Sequence, residues 1–101
     1  MITLEQVKAA YRFTGLKPAS RRFWPFEGRC CAMGALAIAE RSVALHDVKS
    51  VAQRFGESPS FAEGFDHGFC GIALHSLDIS YHRGFAIGQI LKEEADRKPQ
   101  L

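Results

Sequence analysis

The 101-residue sequence is 47% hydrophobic and 24% charged, with a net charge of +2. This is the composition of one modest globular domain, and it excludes a disordered tail. The longest apolar run, residues 30–39, is about half the length that a membrane-spanning helix needs, and Glu5 stands where a secretory signal would carry bases. With three cysteines, two of them adjacent, a disulfide framework is not expected. We therefore predict one cytoplasmic domain over residues 1–101.

The chain opens with a predicted helix over residues 4–14. Thr3 and Gln6 have the spacing of a capping box, in which each side chain bonds the other residue's backbone N–H. Gly15 is a natural terminator. The next segment, residues 16–28, holds two prolines and an aromatic cluster, and its apolar residues follow neither helical nor strand periodicity. We therefore expect a loop whose aromatic rings contact the core.

Residues 30–39 are apolar or small on every side and rich in alanine, which predicts a helix that is buried all round. We expect it to be the central helix, with small residues that let neighbours approach closely. A third helix is predicted over residues 48–55, because its apolar positions recur at offsets of three and four. Asp47 lies near its start and Gly56 at its end.

Two later segments, residues 60–68 and 80–88, are near-copies of each other. Both read Ser, aromatic, two variable residues, Gly, Phe, two variable residues, Gly. On a helix, glycines four apart lie on one face with the aromatics beside them. Four interior glycines would cost roughly 1 kcal/mol each relative to alanine. We therefore expect close backbone packing, either between the two helices or of each helix onto a third element.

The first repeat helix is expected to begin with Ser58 as its cap and Pro59 in the first helical position. It runs to about Gly71, with an interrupted continuation through residues 72–77 as an open alternative. Asp78 or Ser80 is expected to cap the last helix.

These elements predict an all-α fold, a compact bundle of about five helices around the small-residue central helix. Two helices with glycine faces offer more close-packing surface than one small core uses. Burying the remainder against a symmetric copy would solve this, so we also expect a homodimer.

The segment Gly28-Arg29-Cys30-Cys31-Ala32-Met33-Gly34-Ala35, followed by Phe61-Ala62-Glu63-Gly64-Phe65-Asp66, resembles a pattern in small uncharacterised bacterial proteins. Those proteins have a Cys-Cys-Ala-Leu-Gly-Ala segment and a downstream aromatic-x-x-Gly-Phe-Asp segment. The match covers about a quarter of the chain, and Met33 replaces the usual leucine. The family has no assigned activity, so the resemblance implies no catalytic residue.

Cys30 and Cys31 are candidate nucleophiles, because a helix start and the neighbouring Arg29 both favour a thiolate. His67 or His75 would have to fold alongside as the base. The alternative is that both cysteines are small residues packed in a crowded helix.

A zinc site is a further alternative. His67 and Cys70 are three residues apart and share a helix face, so Cys31 or Cys30 could complete a thiolate-rich site. No second pair has metal-ligand spacing, and we predict no metal and no cofactor.

A basic and aromatic segment is the leading candidate for partner binding. Residues 1–50 hold eight Lys and Arg against four Asp and Glu, whereas residues 51–101 hold five against seven. This asymmetry favours an anionic partner, either an acidic protein surface or nucleic acid. The predicted binding residues are Lys8, Arg12, Lys17, Arg21, Arg22, Trp24 and Arg29. Arg29 and Arg22 could instead form internal pairs with Glu27, Glu63 or Asp66.

Acid–base catalysis has less support, because Glu63 and Asp66 share a helix face without a further carboxylate at a defined position. We predict a small helical interaction or regulatory module. The alternative is a cysteine-dependent enzyme that uses Cys30 or Cys31.

Overall fold

Five α-helices and one pair of short strands form the protein in the computed structural model, which describes residues 1–41 and 45–97. In chain order they are α1 (Leu4–Thr14), β1 (Lys17–Pro18), β2 (Arg29–Cys30), α2 (Ala32–Glu40), α3 (Val48–Arg54), α4 (Ser60–Cys70) and α5 (Ile79–Arg97). The predicted all-α bundle of five helices is confirmed. No helix in the described ranges has the length and apolar character that crossing a membrane requires.

Local capping signals set the ends of α1 and α3. The Thr3 hydroxyl accepts a hydrogen bond from the backbone N–H of Gln6, whose side chain accepts one from the Thr3 N–H. Gly15 then ends α1 in the left-handed conformation, with φ of 75°. Asp47 and Ser50 form the equivalent capping box at α3. Both helices therefore begin where the sequence predicts.

The segment between α1 and α2 is not entirely a loop, because its two ends pair as parallel strands. Lys17 lies opposite Arg29 and Pro18 lies opposite Cys30. Strands of two residues show no alternation, so the sequence contains no signal for them. The central helix consequently starts at Ala32, two residues later than predicted.

The helix α2 is buried over Ala32–Ala37, as predicted for a central helix. The main chain of residues 16–28, which we call the aromatic segment, approaches α2 at Gly34. A Cβ atom added to Gly34 would lie 1.9 Å from the carbonyl oxygen of Phe23. Glycine is therefore needed for this segment to pack directly on the central helix.

The two repeat helices pack on each other. A Cβ atom added to Gly64 of α4 would lie 2.0 Å from the carbonyl oxygen of Tyr81 on α5. One added to Gly84 would lie 2.2 Å from the carbonyl oxygen of Phe61. Since Tyr81 and Phe61 occupy the same repeat position, as do the two glycines, the helices are related by an approximate two-fold axis.

The next glycine pair shows that the helices are parallel. Gly68 faces the carbonyl oxygen of Phe85, and Gly88 faces that of Phe65. One step along either helix therefore corresponds to one step in the same direction along the other. Each glycine face is covered by the other repeat helix of the same chain. The homodimer was predicted because glycine faces would be left uncovered, so this reason no longer applies and the homodimer stays a prediction.

The chain between the repeat helices returns to the start of α4, as a parallel pair requires. Gly71 ends α4 in the left-handed conformation, with φ of 77°. The interrupted helical continuation considered for residues 72–77 is wrong, because this segment is not helical. Its leucines point outward, and Leu77 is 96% exposed.

The parallel arrangement places the N-terminal ends of α4 and α5 together, and both ends carry positive partial charge. The Asp78 carboxylate accepts hydrogen bonds from the Ser60 hydroxyl at 2.7 Å and the Tyr81 N–H at 3.0 Å. Asp78 therefore caps α5, whereas Ser80 is buried and donates elsewhere. The helix α4 starts at Ser60, one residue later than the predicted start at Pro59.

Candidate binding surface

The adjacent cysteines lie in the core. Cys30 is fully buried in β2, and Cys31 is 4% exposed at the start of α2. Burial raises the pKa of Cys30 to about 12. Burial also raises the pKa of Cys31 to about 11, even though backbone N–H groups at the start of α2 stabilise its thiolate. Both thiols are therefore held in their protonated, less nucleophilic form.

The histidine that was considered as a base bonds elsewhere. His67 Nδ1 lies 2.6 Å from the hydroxyl oxygen of the buried Tyr81. The His75 ring packs on His67, with 4.6 Å between ring centroids. This pairing of His67 with a tyrosine was not predicted, because it depends on the packing of α4 against α5.

The residues proposed as metal ligands do not converge. Cys70 is exposed, and its sulfur lies 2.9 Å from the hydroxyl oxygen of Ser20. Across residues 1–41 and 45–97, no three His, Cys, Asp or Glu side chains are grouped so that they could hold a metal ion. Cys31, His67 and Cys70 therefore form no ligand set.

Arg21 and Asp66 connect the aromatic segment to α4. The Asp66 carboxylate accepts a hydrogen bond from the backbone N–H of Arg21 at 2.8 Å. Burial raises the pKa of Asp66, although this hydrogen bond opposes the increase. Asp66 thus contacts the main chain of Arg21, which has φ of 60°, and this partner is neither of the two arginines that the sequence suggested for it.

Three of the predicted basic residues line one groove of about 510 Å³ between α1, β1 and α5. They are Lys8 and Arg12 on α1 and Lys17 on β1. The apolar part of the lining includes Leu16 and Leu91. An anionic group that enters this groove would meet positive charge from two elements.

A fourth cation extends this positive region beyond the groove. The parallel pairing of β1 with β2 places Arg29 directly opposite Lys17, and both residues are exposed. Paired residues of neighbouring strands project to the same face. Arg29 also exchanges backbone hydrogen bonds with Phe26. The basic region therefore continues from α1 into the aromatic segment.

The segment between β1 and β2 also exposes two aromatic rings. Phe26 is 60% exposed, and the Arg22 guanidinium lies over its ring at 5.0 Å from the centroid. Trp24 is 62% exposed and packs edge-on against Phe23, with 5.2 Å between centroids, and it lines a second groove together with Val48 and Pro59. Sequence reasoning did not select Phe26 as a binding residue, although its position in the same aromatic cluster was a usable signal. We call the following set the basic-aromatic surface: Lys8, Arg12, Lys17, Arg22, Trp24, Phe26 and Arg29.

No protein-family model, curated protein or solved structure matches this chain. The resemblance to small bacterial proteins therefore stays a prediction, and the functional argument depends on the residues themselves.

Proposed function

We propose that this chain is a cytoplasmic binding module that holds single-stranded nucleic acid on its basic-aromatic surface. The observation that carries the proposal is the β1–β2 pairing, which sets Lys17 beside Arg29 and joins the basic groove to the aromatic segment. Three free thiols support the cytoplasmic location, since disulfides are rare there.

Exposed rings favour nucleic acid over an acidic protein surface. Unpaired bases stack on aromatic side chains, while neighbouring cations contact the phosphates. Trp24 and Phe26 are both more than half exposed, and the Arg22 guanidinium lies against one of these rings. An acidic protein surface would contact the cations, whereas single-stranded nucleic acid would contact the cations and also stack its bases on the two exposed rings.

The geometry gives less support to the alternative, a cysteine-dependent enzyme. Burial raises the pKa of both Cys30 and Cys31, and His67 is bonded to Tyr81. A thiolate nucleophile would have to form against this environment.

Fluorescence anisotropy with a labelled oligodeoxythymidylate of about 12 nucleotides tests the proposal. Wild-type binding should weaken as salt rises, with a slope of about −0.7 per phosphate contact in a plot of log K against log salt concentration. Arg29→Gln should reduce both the affinity and this slope. Trp24→Ala should reduce the affinity by about 1–3 kcal/mol, the energy of one stacked base.

Arg54→Gln is the matched control, because Arg54 is an exposed cation on α3 that pairs with Glu40 outside the surface. It should leave binding nearly unchanged. Equal binding of an acidic polypeptide, with no effect of Trp24→Ala, would identify an acidic protein as the partner instead. Absence of binding to both ligands would refute the proposed function.

A further inference from the structure

Among the residues that the structure describes, the groove of the basic-aromatic surface contains one carboxylate beside its cations. Glu94 on α5 lines the groove together with Lys8, Arg12 and Lys17. Its Oε2 atom lies 2.8 Å from Lys8 Nζ. Lys8 and Arg12 are four residues apart and share a face of α1. Glu94 thus occupies a position that an anionic group of a ligand would take.

This ion pair is open to competition. The side chains of Lys8 and Glu94 are 28% and 42% exposed. A pair with this exposure contributes little to folding stability, because water and salt screen it. An incoming phosphate can therefore displace the Glu94 carboxylate from Lys8 without disturbing the core.

We propose that Glu94 competes with the anionic ligand for Lys8. The Glu94 carboxylate neutralises Lys8 and thereby limits the affinity of the groove for phosphate. The inference rests on the proposed function and names a residue that tunes it. In the wild-type protein a phosphate in the groove meets Arg12 and Lys17 together with the like charge of Glu94. Like charges placed close together at an interface oppose binding and reduce the rate of association.

Glu94→Gln tests this role, since glutamine keeps the size of the side chain and removes its charge. The variant should bind the same oligodeoxythymidylate about fivefold more tightly at low salt. The salt dependence should become steeper by about 0.7, corresponding to one additional phosphate contact made by Lys8.

The same helix provides a matched control. Asp96 pairs with Lys92 at 3.6 Å, and both side chains are about half exposed or more. Neither residue lines the groove. Asp96→Asn removes the same charge from α5 and should change the affinity by less than about twofold, because the exposed Asp96 pairs with Lys92 and with no cation of the groove.

A double-mutant cycle identifies Lys8 as the residue that is released. Lys8→Gln should weaken binding both in wild type and in the Glu94→Gln background, but by a smaller factor in wild type, where Glu94 competes with the phosphate for this lysine. In the Glu94→Gln background, the same substitution should remove most of the gain. Independent, additive effects of the two substitutions would overturn the mechanism.

The outcomes separate the inference from the proposed function. If the wild-type protein binds and Glu94→Gln behaves like Asp96→Asn, the role of Glu94 is wrong and the binding surface stands. If only the Glu94→Gln variant binds measurably, the inference is supported in its strongest form. If neither protein binds any oligonucleotide, both the function and the role of Glu94 are refuted.

Discussion

At the scale of single residues, the Glu57 carboxylate joins three parts of the chain. Its side chain is fully buried and accepts hydrogen bonds from the Ile2 N–H, the Ser80 hydroxyl, and the Nε and Nη2 groups of Arg83. Burial alone would raise the pKa of Glu57. The hydrogen bonds from Arg83, Ser80 and Ile2 outweigh burial and hold the pKa below its usual value of 4.5.

Glu57→Gln should therefore lower the free energy of unfolding at pH 7 by about 2 kcal/mol, because glutamine loses the charge-assisted hydrogen bonds that the buried carboxylate accepts. A carboxyl with a depressed native pKa stabilises the fold above its unfolded-state pKa. This contribution is lost as pH falls below about 4.5 and through the lower native value. Urea denaturation of wild type and variant should thus give curves that converge at acidic pH. Glu93→Gln, an exposed change on α5, is the control, and its free energy of unfolding should differ from that of wild type by the same amount at every pH. A loss of unfolding free energy in Glu57→Gln that is the same at all pH values would contradict this reasoning.

At the scale of elements, the α4–α5 pair explains the repeated glycines. Gly68→Ala would place a methyl group 2.1 Å from the Phe85 carbonyl oxygen, which belongs to the backbone and cannot rotate away. Alanine normally stabilises a helix relative to glycine by about 1 kcal/mol. Here we expect the opposite sign, a loss of about 3 kcal/mol or more, measured by thermal and urea denaturation. Gln89→Ala, at an exposed position beside Gly88, should stay within about 0.5 kcal/mol of wild type, and a stabilising Gly68→Ala change would show that the helices are not in contact.

Helix ends could be predicted because their signals act within a few residues. The caps at Thr3 and Asp47 each depend on a partner three positions away. The repeat also predicted close packing, since interior glycines need a compensating contact. It did not predict parallel helices, because that arrangement depends on the path of residues 71–78.

The candidate site was less predictable for the same reason. The sequence indicated most of its basic residues, yet the adjacency of Lys17 and Arg29 depends on a strand pair too short to produce a pattern. Glu94 enters the groove from a distant part of the chain. The burial of Cys30 and Cys31 likewise follows from tertiary packing rather than from local spacing.

At the scale of the whole molecule, the basic-aromatic surface is fixed to the core by its main chain. The Cys31 N–H donates to the Arg22 carbonyl oxygen at 2.7 Å, and the Phe23 carbonyl oxygen packs on Gly34. The exposed side chains of this segment therefore project from a backbone that the central helix holds in place. We therefore expect a change that destabilises α2 to weaken binding as well. The buried Cys31 lies at the start of the same helix.

This architecture predicts how the three thiols react with iodoacetamide. Cys70 is exposed, so it should be modified in the native protein. Cys30 and Cys31 should react at least about a hundredfold more slowly, because they are buried and their raised pKa values reduce the thiolate fraction. Mass spectrometry of each cysteine across a pH series would measure these rates, and in urea the three rates should become similar. Rapid modification of Cys30 or Cys31 below pH 7 in the folded protein would contradict this prediction and favour the cysteine-dependent enzyme.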